Sequence, residues 1–471
     1  MKMEDAWRRV DEVANTAVDT FSYCVERGDG IFYPSKVGMR FGDDKRPFKS
    51  AITWHAWQSM QSLMDRGLDP LTVLIERAHE KGMDFWADLR LQSFGGMKPA
   101  FKLSNGGRGM AHPEVRSHHL DVIRELAADY VVDGVELDFS AAFGQSPYFL
   151  RPEDIRSYTP VITGWVAEAA KIVRTRPSLS ATIGARVFPT EEMNLAQGLD
   201  VRTWLKEGLL DFVIPVMYGY NNLDPDMPIE WLTELGAQHD VAVYGMLQPY
   251  MRDESTVPDD RTYLRRIHAT PEMFRAAAAN FWAKGVDGLY TWFLKWPFGD
   301  AEHRILTEIG DPDTIKERSK RYVVRRRSKD AAELGYSAFL PLAIPEANPG
   351  HAYPIPFHVA DDIRGRADRI RQIRLRINIS NVVTQDQFTI KLNGKSPAKE
   401  ICLRDFGRLD AARDQWIEFV LVGVRPEKGM NMLDISLDSR PKGLEGGVVV
   451  EEVELYVEYG PHPSGLNVAS E

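Results

Sequence analysis

The chain reads as an α/β protein: a (β/α)8-type TIM barrel without its first strand, followed by a carboxy-terminal antiparallel β-sandwich of jelly-roll type. Three observations lead there. From residue 20 to about 310, short β-like runs alternate with helical periodicity, the pattern of a parallel sheet wrapped by helices. Residues 133–139, Asp-Gly-Val-Glu-Leu-Asp-Phe, carry carboxylates at i and i+2, so a strand here is acidic on one face and apolar on the other. That suits a closed barrel, whose inner face holds polar groups near its C-terminal rim, and not a sandwich core. Beyond residue 335 the apolar–polar alternation has a period of two.

The strand candidates of the barrel are Thr20–Val25, Asp84–Leu91, Gly134–Phe139, Leu179–Val187, Asp211–Tyr218, Val241–Leu247 and Asp287–Leu294. Helices are expected near Leu71–Lys81, Pro113–Tyr130, Pro152–Arg174, Val201–Glu207, Ile229–His239 and Pro271–Lys284, several opening on the proline that a first helical turn tolerates. This gives seven strands, and because a helix (Glu4–Ala17) precedes them, the absent strand is most simply the first. A doubly wound open sheet is the competing fold; no Gly-rich phosphate turn follows the first strand to favour it. The barrel is expected over 1–315, a linker with the basic run Arg325-Arg326-Arg327 over 316–335, and the sandwich over 336–471. Sandwich strands are expected at Arg371–Ile379, Gln387–Leu392, Trp416–Val422, Met432–Leu437 and Val448–Glu458, with turns at Asn393-Gly394 and Pro426–Gly429. No internal repeat is evident.

Composition narrows the function. With 471 residues, 44% hydrophobic and 27% charged, the chain can bury two sizeable cores. A net charge of −10 argues against nucleic acid as a main partner, and the basic run reads as a solvated face. No stretch approaches the roughly 20 apolar residues of a membrane span. Met1 to Val18 lacks the apolar centre of a secretory signal, which leaves the compartment open. Cys24 and Cys402 are the only cysteines, too few for a disulfide scaffold or a cysteine zinc site.

Loops and last inward positions at the C-terminal strand ends build the active site of such a barrel. Trp86, Asp88 and Arg90 share one face of their strand, Glu136 and Asp138 that of the next, and Arg186 that of the strand after. Tyr218, Gln248, Tyr290 and Trp292 close later strands, with Trp296 just beyond. Acids, arginines, an amide and aromatics together suit a sugar, whose C–H faces stack on rings and whose hydroxyls pair with polar groups. Glycosidic hydrolysis uses two carboxyls. Asp138 is the first candidate; the second is open among Glu136, Asp88, Glu191, Glu192, Asp224 and Glu254. Glu136 can instead be ion-paired with Arg90 or Arg186 and hold Asp138 in place. The plain alternative for the whole set is a structural ion-pair network, and for Trp54 and Trp57 it is core packing. His112, His118, His119 and Asp121 offer no i, i+4 histidine pair and read as helix residues, not metal ligands. No cofactor motif occurs: Ser104–Gly109 is glycine-rich, but no strand turns tightly into it.

The stretches Ala78–Met83, His112–Arg116, Val122–Tyr130, Asp133–Phe139 and Ile214–Tyr218 resemble bacterial glycoside-hydrolase-like TIM-barrel proteins, the family 10 glycosyl hydrolase-like group, over roughly residues 15–300. The resemblance implies a barrel, and Asp138, which closes the strand matching the group's fourth, as the catalytic acid. It also implies a first strand ahead of a helix like residues 4–17. The chitinase-type pattern Asp-Gly-x-Asp-x-Asp-x-Glu is matched by Asp133, Gly134 and Asp138, but Glu136 replaces the middle Asp and Ser140 the proton-donating Glu. The sandwich is similar to the accessory β-domains beside glycosidase barrels. The expectation is thus a glycoside hydrolase of an oligo- or polysaccharide, with Asp138, Glu136 and Asp88 catalytic, Arg90, Arg186, Tyr218, Gln248, Trp292 and Trp296 binding substrate, and no cofactor or metal. The competing expectation is a barrel that binds carbohydrate, or scaffolds, without catalysis.

Overall fold

The computed structural model describes residues 2–27, 30–91, 99–103, 109–140, 149–175, 181–217, 222–253, 266–292, 294–326, 332, 334–397, 402–405 and 414–460. Two compact units emerge. One comprises Met1–Gly219, Pro228–Met246 and Val286–Tyr290; the other comprises Tyr220–Met227, Leu247–Gly285 and Thr291–Glu471.

The first unit is built on a seven-stranded sheet whose order follows the chain: β1 (Thr20–Cys24), β2 (Asp84–Arg90), β3 (Gly134–Asp138), β4 (Thr182–Val187), β5 (Phe212–Pro215), β6 (Ala242–Leu247) and β7 (Gly288–Thr291). Neighbours from β1 to β6 pair in parallel. All seven strands lie where alternation and apolar runs place them. Helices fill the intervals: Pro70–Glu80 begins where the Asp69 carboxylate accepts the Leu71 N–H (2.8 Å), and Pro113–Asp129 begins after His112, which is its N-cap. His112 thus starts a helix, as the sequence reading has it.

The sheet is curled, and its side chains prove it. Glu136 of β3 accepts hydrogen bonds from Ser22 of β1 (2.6 Å) and from Tyr290 of β7 (3.2 Å). In a flat sheet, strands at roughly 4.8 Å spacing would hold β3 and β7 about 19 Å apart, beyond the reach of a tyrosine. Only a sheet rolled about its strand axes lets one carboxylate meet both edges. Aromatic rings fill the interior near the N-terminal strand ends. Trp86 stacks on Phe212 at 4.0 Å, and Tyr244 lies 5.8 and 5.7 Å from those two rings. Glycines make the room: a Cβ on Gly184 would sit 2.2 Å from the Phe212 ring, and one on Gly134 would sit 2.7 Å from Trp86.

Besides the antiparallel pair Tyr250–Asp253 and Arg266–His268, the second unit contains two larger antiparallel sheets. One has the order β8 (Lys320–Val323), β16 (Val448–Tyr459), β11 (Ile370–Ser380), β14 (Asp414–Val420), β13 (Cys402–Asp405), with β9 (Leu342–Ile344) also paired to β16. The other runs β10 (Tyr353–Val359), β15 (Gly429–Ser439), β12 (Gln387–Leu392). One apolar core joins them: Leu375, Ile377, Leu455 and Val457 from the first sheet pack with Ile355, Phe357, Leu433 and Ile435 from the second. Strand β8 lies inside the stretch expected as a linker. Strand β10 escapes the sequence reading because Pro354 and Pro356 interrupt it. Among the described residues it is an edge strand paired only with β15, where a missing N–H on the other side is tolerated.

Candidate active site

Strand register stacks the inward-facing residues in rows. Cys24, Asp88, Glu136 and Gly184 form one row; Arg90, Asp138 and Arg186 form the next toward the C-terminal ends. The guanidinium of Arg186 is the hub. It is ion-paired with Glu136 through Nε, with Asp138 through Nη1 (3.0 Å) and with Asp88 through Nη2 (3.5 Å). Nη2 also donates to the Tyr290 hydroxyl (2.8 Å), while the Tyr290 ring lies 5.2 Å from the guanidinium carbon. Asp138 is gripped from its other side as well, its Oδ1 accepting the backbone N–H and the hydroxyl of Ser140, both at 3.0 Å.

The cluster is dry. Asp88 is 2% exposed, Glu136 and Asp138 0%, and Arg186 4%. Burial disfavours charge, so it dominates the protonation behaviour. The Asp88 carboxyl is pushed up to about 8: burial raises it, Arg186 opposes, and Glu136 and Asp138 add repulsion. Glu136 is also raised by burial, against the pull of Arg186 and the Ser22 hydrogen bond. Arg186 is held above its usual range although burial pulls it down, because Asp88, Glu136, Tyr290 and Asp138 surround it. Burial lifts the Tyr290 phenol and the Cys24 thiol, the latter helped by Asp88.

The structure therefore gathers Asp88, Glu136, Asp138 and Arg186 into one network, with Arg90 half-buried in register beside Asp138. Asp138 does close its strand, but it is enclosed and not open to solvent at the rim. Tyr218 and Glu254 lie outside the described residues. Gln248, Trp292 and Trp296 belong to the second unit, where Gln248 is buried, Trp292 half-buried and Trp296 42% exposed. Of the other carboxyl candidates, Glu191 is bound by Arg202 (2.5 and 2.6 Å), which lowers it, and Asp224, in the second unit, is bound by Arg325 and Tyr336. Among the described residues no group of three His, Cys, Asp or Glu is placed to hold a metal ion. Trp54 is 38% exposed and is no core residue.

Sequence reasoning missed Ser22, and it placed Tyr290 on the rim without a partner. The signal for Ser22 is its parity. It faces the same way as Cys24 on β1, and β1 is registered so that Cys24 lies beside Asp88.

No protein-family model matches the chain, and no curated protein matches it. Solved structures give distant likenesses. A bacterial fucosidase bound to an inhibitor aligns over 94% of this chain and 82% of its own, with 11% identity and a TM-score of 0.40. The PgaB (BpsB) glycoside hydrolase domain from Bordetella bronchiseptica covers 65% and 93%, with 10% identity and a TM-score of 0.40. A GH113 β-1,4-mannanase covers 66% and 90%, with 13% identity and a TM-score of 0.36. Likenesses at this level establish neither a family, family 10 included, nor an activity.

Proposed function

We propose that the chain is a glycoside hydrolase that cuts O-glycosidic bonds of an oligo- or polysaccharide, with Asp138 as its central carboxylate. The observation that supports this reading is the unequal treatment of neighbouring acids around one arginine. Glycosidic hydrolysis needs one carboxyl that still carries a proton near neutral pH and another that acts as nucleophile or base. Asp88, pushed up to about 8, meets the first requirement. Asp138, aimed by Arg186 and Ser140, meets the second. In this reading Glu136, Arg186 and Arg90 position the pair. The test is release of product from a panel of aryl glycosides and polysaccharides. Asp138→Asn is expected to lower the rate by about a thousandfold when assayed below the variant's own melting temperature. An Asp138→Asn variant as fast as the wild type overturns the assignment.

One observation favours a second reading, a barrel that binds carbohydrate without cutting it. Asp138 has no exposed surface and both its oxygens are engaged, so a sugar reaches it only if the covering chain parts. Glycan binding without product at high protein concentration, unchanged in Asp138→Asn, identifies this case.

A further inference from the structure

A further acid of the first unit is wholly buried. Glu26 is 0% exposed, while its neighbour Arg27 is exposed. The strand leading to it tells where it points. Ser22 of β1 donates to Glu136, and Cys24 lies level with Asp88, so the even-numbered side chains here face the interior of the roll. Pairing continues past the end of β1. The Val25 N–H donates to the Asp88 carbonyl (3.0 Å), and the Val25 carbonyl accepts the Phe32 N–H (2.9 Å). Glu26 then pairs with Ile31. A chain held extended on both sides of Val25 keeps its alternation. That carries Glu26 to the side of Cys24 and, two residues further on, to the level of Arg90.

The charges around Cys24 agree with this placement. Its thiol donates to the Glu26 carbonyl (2.9 Å). Burial is the largest influence on that thiol, followed by Asp88, Arg90 and Glu26, the acids raising it and the guanidinium lowering it. Arg90 also bears on Asp88: burial raises that carboxyl, and Arg186 and then Arg90 lower it. Arg90 thus stands near two acids, Asp88 on the level below and Glu26 on its own. A buried carboxylate is costly unless a cation answers it. The groups facing Asp88 are Cys24 from β1, Arg90 from its own strand, Glu136 and Asp138 from β3, Arg186 from β4 and Tyr290 from β7. Of the two cations, Arg186 is fixed by three acids and a phenol. Arg90 is the one whose hold on Asp88 a further acid can weaken.

We propose that Glu26 is a positioning residue of this centre, holding the Arg90 guanidinium at its own level and away from Asp88, so that Asp88 keeps its proton. The catalytic consequence rests on the hydrolase reading; the contact itself does not. The sign follows from charge. Without the Glu26 carboxylate, Arg90 turns to Asp88, favours its ionised form and lowers the pH at which its proton leaves.

The test uses the whole chain with aspartate isotope-labelled at the side-chain carboxyl, titrated by NMR from about pH 5 to about pH 10. The Asp88 signal is the one lost in Asp88→Asn, and its midpoint in the wild type is expected at about 8. Glu26→Gln is expected to lower that midpoint by at least about half a pH unit, a roughly threefold change in proton affinity, and Glu26→Asp to restore most of it. The basic limb of kcat against pH should move by the same amount, with KM unchanged. An unmoved or raised midpoint in Glu26→Gln overturns the inference. If Glu26→Gln does not fold, glutamate is labelled instead. The signal lost in Glu26→Asp should then step at the Asp88 midpoint in the wild type and show no such step in Asp88→Asn; a signal blind to Asp88 overturns the inference. A moved midpoint in a chain that releases no product sinks the hydrolase reading alone, and product release with an unmoved midpoint sinks this inference alone.

Discussion

Each unit buries an ionic cluster, and the two are composed differently. In the second unit Lys320, 1% exposed, pairs with Asp361 at 2.9 Å. Its ammonium also donates to the carbonyls of Lys316 (3.4 Å) and Arg318 (3.2 Å), and Asp361 accepts the hydroxyls of Tyr322 and Tyr459 at 3.0 Å each. One acid meets one base, and hydrogen bonds occupy what remains. In the first unit three acids crowd Arg186. Pairing cannot settle that excess, so protonation must. A balanced cluster holds chain segments together whatever the pH in the neutral range; an acid-rich one is sensitive to protons by construction.

The contrast can be broken most sharply by neutralising one acid in each cluster. Asp361→Asn strands the buried Lys320 ammonium and should cost about 3–5 kcal/mol in chemical denaturation. Asp88→Asn should cost little below pH 8, because the native carboxyl already carries a proton there, and should be stabilising above it. A large loss for Asp88→Asn at pH 6 would erase the distinction. The next largest effect concerns support. Gly184→Ala drives a methyl into the Phe212 ring, which cannot retreat from Trp86, and should destabilise by roughly 1–3 kcal/mol.

A smaller effect is read by melting temperature against pH. The folded value for Asp88, about 8, lies above that of an unfolded carboxyl at about 3.9. The folded chain therefore holds the extra proton between those values. Its contribution to stability is fully present below the lower one and is lost as pH rises through the upper. Asp88→Asn should flatten the curve across this window, whereas Lys320→Met should lower it throughout. The smallest change is expected at the surface, where Arg364→Ala breaks an exposed pair with Glu427 and should stay within about 0.5 kcal/mol.

The seven strands of the rolled sheet and the inward faces of β2, β3 and β4 were legible because a period of two is a local property. Asp88, Glu136, Asp138 and Arg186 could be put on one face without knowing how the sheet curves. Their mutual distances could not, since Tyr290 meets Glu136 only through closure across four strand spacings. The enclosure of Asp138 was equally hidden, because burial depends on covering chain remote in sequence. Asp19, Asp133, Asp211 and Asp287, each one residue before β1, β3, β5 or β7, form a repeat that the sequence hides. Its copies are separated by intervals of 114, 78 and 76 residues, too uneven to register as a period. In the second unit Pro354 and Pro356 disguised a strand that only its edge position permits.

The stacked rings of Trp86 and Phe212, with Tyr244 beside them, act as a stopper at one end of the rolled sheet. Trp86 and Phe212 are buried, and Asp88 and Glu136 lie two residues further along the strands that carry Trp86 and Gly134. Apolar surroundings favour the neutral form of a carboxyl, and burial is the largest influence on Asp88, ahead of its charged neighbours. Three aromatic residues with no chemistry of their own thereby help fix the acidity of the carboxyl above them.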